Sequence, residues 1–200
     1  MWFARHRIAV SRLLVAALLI MIAITGSLWN TTLPLVGKGL VALGLFLVGI
    51  AMVGRLWCNL YIVGYKNSSL LTVGPYSMSR NPLYFFSAIG GIGVALTTGT
   101  IAFAVAVALI FALTYPGVIR SEEARLRKLY GTDWEDYARK VPRFMPRLQQ
   151  LTEPTEYVAH PRLFRRHLMD ALWFAWASAA VLLVGELQTN GILPTLFRFA

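Results

Sequence analysis

NPLYFFSAIGGIGVALTTGTIAFAVAVALIFALTYPGVIRSEE, residues 81–123, reads as a helical hairpin with a polar layer at its open end. Asn81-Pro82 has the look of a helix opening. Asn can cap with its side-chain oxygen, and Pro suits the first helical position, where its missing N–H costs nothing. Pro82 to Leu96 is then a short apolar span, Thr97-Thr98-Gly99-Thr100 a tight turn, and Ile101 to Ile119 the return. Pro116-Gly117 is expected to kink that return near its end. Antiparallel spans bring the start of one beside the end of the other, so Asn81-Pro82 and Glu122-Glu123 should share a layer. Arg80 stands one residue outside the first helix. A guanidinium beside free backbone N–H groups suits an anionic or zwitterionic ligand. Gly90-Gly91-Ile92-Gly93 is no dinucleotide fingerprint, because the third glycine is misplaced and no soluble strand precedes it.

Around this hairpin the chain is greasy. Hydrophobic residues make up 57% of 200 residues, against about 45–50% in an average soluble domain. They fall in long blocks, which marks an integral membrane protein. Ile8 to Leu28 is a first span, long for a signal-peptide core and without an A-x-A cleavage pattern after it. Leu33 to Gly54 is a second, joined by the polar link Trp29-Asn30-Thr31-Thr32. Gly39, Gly44, Gly49 and Gly54 recur every five residues, so they cannot share one helical face. They mark several places of close helix approach rather than one dimer seam. Arg55 to Arg80 is a connector of mixed character, with Trp57, Tyr61 and Tyr65 suited to the interface and Lys66, Asn67 and Ser68 to water.

The hairpin leads into Arg120 to His167, which holds eleven of the nineteen Lys/Arg and seven of the nine Asp/Glu. Ser121 to Tyr130 continues the fourth span, Gly131 breaks it, Asp133 to Lys140 is a second helical piece, and Pro142 and Pro146 stop that. Leu168 to Leu187 is a fifth apolar helix, read as a tilted span with an interfacial helix as the alternative. The expected fold is therefore all-α: a membrane bundle of about five transmembrane helices, with a cytoplasmic helical segment between the fourth and fifth. Three sections follow, residues 1–57 as a helix pair, 58–146 as a core and 147–200 as an extension.

Charge orients the bundle. The net charge of +10 suits loops held at a cytoplasmic, anionic lipid face better than it suits nucleic acid. The N-terminus and the layer of Arg80 and Glu122 then face the cytoplasm, because the two turns on the other side carry no charge. One cysteine, Cys58, allows neither an internal disulfide nor a thiolate metal cluster. His6, His160 and His167 share no metal-ligand spacing, so no metal is expected.

Two polar stretches can carry chemistry, Gly74 to Tyr84 and Glu122-Glu123. For the glutamates, the plain alternative is a solvated helix start paired with Arg120, Arg125 or Arg127. Gly74-Pro75-Tyr76, Arg80-Asn81-Pro82-Leu83-Tyr84, Glu122-Glu123, Leu129-Tyr130-Gly131, Tyr137 and Val141-Pro142-Arg143-Phe144 together resemble the isoprenylcysteine carboxyl methyltransferase and phospholipid methyltransferase superfamily. The resemblance covers roughly Leu70 to Pro146. It implies a small membrane enzyme that uses S-adenosylmethionine and methylates a membrane lipid or other apolar acceptor. Carried over by position, Leu70, Leu71 and Tyr76 line the cofactor site from the connector. Asn81, Pro82 and Tyr84 form its helix-start part, and Glu122 with Glu123 its carboxylate part. Arg120 is the candidate for the acceptor's acidic group, and no catalytic base is assigned. Many members carry His where Asn81 stands, and the helix after Pro146 lies outside the shared region. The short chain leans towards a bacterial inner membrane. Two other readings stand beside this one. Sterol-type reductases, which use NADPH, share a similar Arg-(His/Asn)-Pro, Glu-Glu and Tyr-Gly pattern, and a membrane scaffold could keep the fold without activity.

Overall fold

The computed structural model describes residue 17, residues 20–63 and residues 69–199. Most of the first expected span and the Lys66-Asn67-Ser68 stretch lie outside the described residues. Residues 20–24 are helical. After them come β1 (Thr25–Ser27), α1 (Trp29–Thr32), α2 (Pro34–Ile62), α3 (Pro75–Met78), α4 (Pro82–Leu96) and α5 (Ile101–Lys140). A 3-10 turn (Leu148–Gln150), α6 (Pro161–Thr189) and β2 (Phe197–Phe199) complete the order. Among the described residues the fold is all-α apart from one short parallel pairing, in which Thr25 to Ser27 align with Phe197 to Phe199.

Among the described residues, three helices are long and apolar enough to cross a membrane: α2, the apolar part of α5, and His167–Thr189 within α6. Helix α4, at 15 residues, is about 22 Å long and shorter than the ~30 Å hydrocarbon core. The bundle turns greasy side chains outwards, with Leu35 85% and Leu113 82% exposed. Outward-facing apolar residues in such numbers are what lipid requires and water penalises.

Close packing of α2 on α4 depends on small residues. A Cβ at Gly44 would stand 2.6 Å from the Gly93 carbonyl oxygen, and one at Gly54 would overlap the Phe86 ring. Gly39 and Gly49 meet nothing within 4 Å. Half of the five-residue glycine series therefore makes helix contacts, and the other half faces outwards.

Several boundaries differ from the sequence reading, for physical reasons. Thr25 to Ser27 is extended rather than helical because the distant C-terminal strand captures it, with Leu28 N–H also donating to Phe199 O at 2.7 Å. The polar link Trp29–Thr32 closes into a helical turn, fed by the Leu28 carbonyl. Helix α2 continues eight residues past Gly54, so Arg55, Trp57, Asn59 and Tyr61 are helical rather than part of a connector. Pro116 is accommodated within α5, whose non-helical residue is Gly131, at φ 52 and ψ −120. Only glycine adopts that conformation without strain. Helix α5 ends at Lys140, and Val141 is extended before Pro142, as proline demands of its predecessor.

Candidate active site

The open end of the α4–α5 hairpin gathers the residues that the sequence singles out. Asn81 precedes Pro82, the first residue of α4, and makes no side-chain cap. Its amide is recruited elsewhere: Nδ2 donates to Glu123 Oε1 at 3.4 Å and to Arg143 O at 2.9 Å. The expected cap is therefore replaced by a tertiary bond. The backbone N–H groups around the helix start are also occupied, Asn81 N–H by Ser79 Oγ and those of Tyr84 and Phe85 by Asn81 O. Guanidinium groups supply most of the cationic character of this layer.

Glu123 is buried, 8% exposed, and encircled. Arg143 Nη2 and Nε each lie 3.0 Å from Oε2, and Arg80 Nε lies 3.3 Å from Oε1. Arg80 is held in turn by its Nη1 donating to Ala138 O and by its guanidinium 5.7 Å from the Trp134 ring centroid. Arg80 N–H donates to Pro142 O, and Ser79 Oγ donates to Phe144 O. These bonds tie the chain beyond α5 back onto the start of α4. Neither glutamate pairs with Arg120 or Arg127 in an ion pair among the described residues, and Arg127 pairs with Glu135 instead.

Glu122, one residue earlier, faces the other way. It lines a cavity of about 580 Å³ together with Leu70, Leu71, Tyr76, Asn81, Pro82 and Tyr84. That volume lies within the ~300–1,000 Å³ range of small-molecule sites. Tyr84 donates its hydroxyl to Glu122 Oε2 at 2.9 Å. Tyr76 is buried in α3, and its backbone carbonyl accepts the Tyr137 hydroxyl at 2.7 Å. Burial holds the Tyr76 phenol well above its ordinary pKa, and Tyr137 is raised by the same cause. Both remain protonated donors.

Several polar atoms around this cavity are buried and lack a hydrogen-bond partner: Tyr76 Oη, Asn59 Nδ2, Tyr130 Oη and Arg55 Nε. An unsatisfied buried polar group is costly, so a cluster of them around one cavity points to a polar ligand. Arg55 and Asn59 are four residues apart in α2 and were not singled out by the sequence reading. An intramembrane arginine in a helical pattern was the signal that could have found them. Arg120 is exposed and lines a second recess with Arg80, Glu123 and Arg143 rather than the cavity, although Arg80 and Trp134 line both. Glu123 likewise lines that recess and stands behind the cavity wall. An open recess of about 900 Å³ adjoins the cavity and shares Ser69, Leu70, Tyr130 and Tyr137 with it.

Residues 33–133 match the phospholipid methyltransferase family. A nickel-cobalt-cadmium resistance protein, NccN, from Alcaligenes xylosoxydans xylosoxydans is 40% identical over 97% of this chain and 90% of its own length. A cobalt-zinc-cadmium resistance protein, CzcN, from Cupriavidus metallidurans is 37% identical over the whole chain and 91% of its own length. No solved structure matches the chain. Among the described residues, no group of three His, Cys, Asp or Glu is placed to hold a metal ion.

Proposed function

The chain belongs to the phospholipid methyltransferase family, and from that premise we propose that it transfers a methyl group from S-adenosylmethionine to a membrane-embedded, apolar acceptor. The observation that carries this reading is the cavity ringed by unpartnered donors on one side and the Glu122 carboxylate on the other. A bound S-adenosylmethionine supplies an activated methyl on a sulfonium whose leaving group is already good. The chain's own groups fit its outline. Tyr76 Oη and Asn59 Nδ2 are free donors for a carboxylate, Glu122 is an acceptor for ribose hydroxyls, and Leu70 and Leu71 give apolar wall. Asn81, Pro82 and Tyr84 form the floor of the same site, and Glu123 positions Asn81 from behind. Such residues need only hold the reacting atoms in line and exclude water. No general base is assigned, because a carboxylate acceptor needs none.

Residues 58–146 form the core in this reading, with the preceding helix and the C-terminal extension completing the cavity wall. The site and the N-terminus face the cytoplasm of a bacterial inner membrane, a placement supported by the uncharged Thr97–Thr100 turn at the far end. The names of the two bacterial relatives place them in resistance to nickel, cobalt, zinc and cadmium. We extend that setting to this chain through methylation of a membrane component.

The test is transfer itself. Membranes from cells making this protein, incubated with methyl-labelled S-adenosylmethionine, should yield label in the organic extract. Membranes carrying Glu122→Ala should not. Equal labelling by both would remove Glu122 from the site, and no labelling by either would contradict the reading.

A further inference from the structure

Helix α6 turns two unlike faces to its surroundings. Ala171, Ser178 and Val181 are buried, and the Phe174 ring packs on Gly90 of α4, where a Cβ would stand 2.6 Å from it. Met169, Trp173, Trp176 and Leu183 are exposed on the opposite side, as a lipid-facing surface requires. At about 100° per residue, His167 falls at the centre of the buried stripe, in line with Ala171, Phe174 and Ser178. Asp170 falls on the edge of the same stripe. Both therefore stand on the protein side of the helix, yet their side chains are 46% and 56% exposed. The space they meet is the cavity, whose lining contains both. An open ion pair of this kind contributes little to stability, and ionisable groups on the inner face of a membrane helix mark function.

The two side chains have the geometry of an oriented base. His167 Nδ1 lies 2.9 Å from Asp170 Oδ2. With its Nδ1–H donated to that carboxylate, the neutral ring presents the Nε2 lone pair. Nε2 makes no hydrogen bond among the described residues. The other ionisable groups of the lining are unsuited to the task. Arg55, Arg80 and Arg125 are permanent cations. The phenols already carry their protons, those of Tyr76 and Tyr137 held by burial. Glu122 accepts the Tyr84 hydroxyl, and a carboxylate is a weaker base than an imidazole.

We propose that His167 is the general base of this cavity, positioned by Asp170, and that the acceptor is therefore a nucleophile that must shed a proton, an ammonium or a thiol rather than a carboxylate. The assignment rests on the methyltransferase reading and gives its acceptor a chemical class. Nε2 takes a proton from the ammonium or thiol, and the electron pair freed on nitrogen or sulfur forms the new bond to the methyl carbon. The donor's methyl–sulfur bond breaks, its electron pair stays on the donor sulfur, and the sulfonium charge is cancelled. The half-exposed imidazolium then passes its proton to water, which restores the base.

The experiment incubates membranes from cells making the full chain with methyl-labelled S-adenosylmethionine and reads the chemistry of the labelled lipid. Label in the organic extract, above that of control membranes, should resist mild alkali, because N- and S-methyl groups do not hydrolyse. Retention on a cation exchanger at acid pH then marks nitrogen, and passage marks sulfur. Release of the label as methanol would identify a methyl ester and overturn the proposal while leaving the methyltransferase reading intact. His167→Gln should lower the labelling rate about a hundredfold or more at about pH 7. That loss should shrink as the pH approaches the acceptor's own ionisation, about pH 8.5 for a thiol or about pH 10.4 for an amine. Asp170→Asn should show a smaller loss with the same dependence on pH. A loss that stays constant with pH, or no loss, would deny His167 the role of base. Purified His167→Gln should bind S-adenosylhomocysteine as the wild type does, and lost binding would assign His167 to the cofactor instead. No labelling by the wild type would remove the methyltransferase reading and the base with it.

Discussion

Glu122 and Glu123 are adjacent on one helix and chemically identical, yet the fold treats them as opposites. Glu123 is buried and saturated by Arg80, Arg143 and Asn81, all from segments outside its own helix. Glu122 faces the cavity, with the Tyr84 hydroxyl 2.9 Å away and donors without partners in the same lining. One carboxylate locks the chain after α5 onto the start of α4, and its neighbour is presented to a ligand. Successive helical residues point about 100° apart, which is enough to divide structural from functional work.

The largest effect expected from this division concerns stability. Glu123→Ala strands Arg80, whose side chain is 11% exposed, and breaking a buried pair by removing one partner costs about 3–5 kcal/mol. Thermal unfolding in detergent should show a large loss for Glu123→Ala and a change below about 1 kcal/mol for Glu122→Ala. Equal losses would erase the contrast.

Binding should show the reverse order. Glu122→Ala should weaken S-adenosylhomocysteine at least tenfold, equivalent to about 1.4 kcal/mol, while the ligand-free protein melts as the wild type does. A variant that binds normally would move the site away from Glu122. Tyr84→Phe removes one hydrogen bond to that carboxylate, worth about 1 kcal/mol. It should cost two- to fivefold in affinity by the same titration, and no change would mean that Glu122 needs no steering.

The smallest effect concerns pH. Burial raises the Tyr76 phenol well above its ordinary value, so the folded protein keeps this donor protonated where an exposed tyrosine begins to ionise, near about pH 10. Affinity for S-adenosylhomocysteine should therefore stay flat from about pH 7 to about pH 9.5. A fall over that range, absent in Tyr76→Phe, would show that the phenol is not shielded.

Much of the hairpin was legible because its signals are local. Pro82 starts α4, the Thr97–Thr100 stretch turns, and Gly131 breaks α5 by a conformation other residues avoid. Hairpin geometry alone then placed Asn81 beside the glutamates. What was not legible depends on distant chain. The Asn81 side chain suits a cap, but Glu123 and the Arg143 carbonyl outcompete that local bond. Thr25–Ser27 pairs with residues near the far end of the chain, which no pattern nearby announces. Arg120, two residues from Glu122 on the same helix, points to the opposite side and lines another recess, a consequence of helical spacing. Arg55 and Asn59 were hidden because Trp57 and Tyr61 give that stretch the composition of an interface connector, although α2 runs unbroken to Ile62.

The central claim is that this cavity receives an adenosyl sulfur cofactor, and calorimetry of the detergent-purified chain tests it most directly. S-adenosylhomocysteine should bind with saturable heat and raise the melting temperature, while NADPH should do neither. Stabilisation by NADPH alone, or silence with both ligands, would contradict the account.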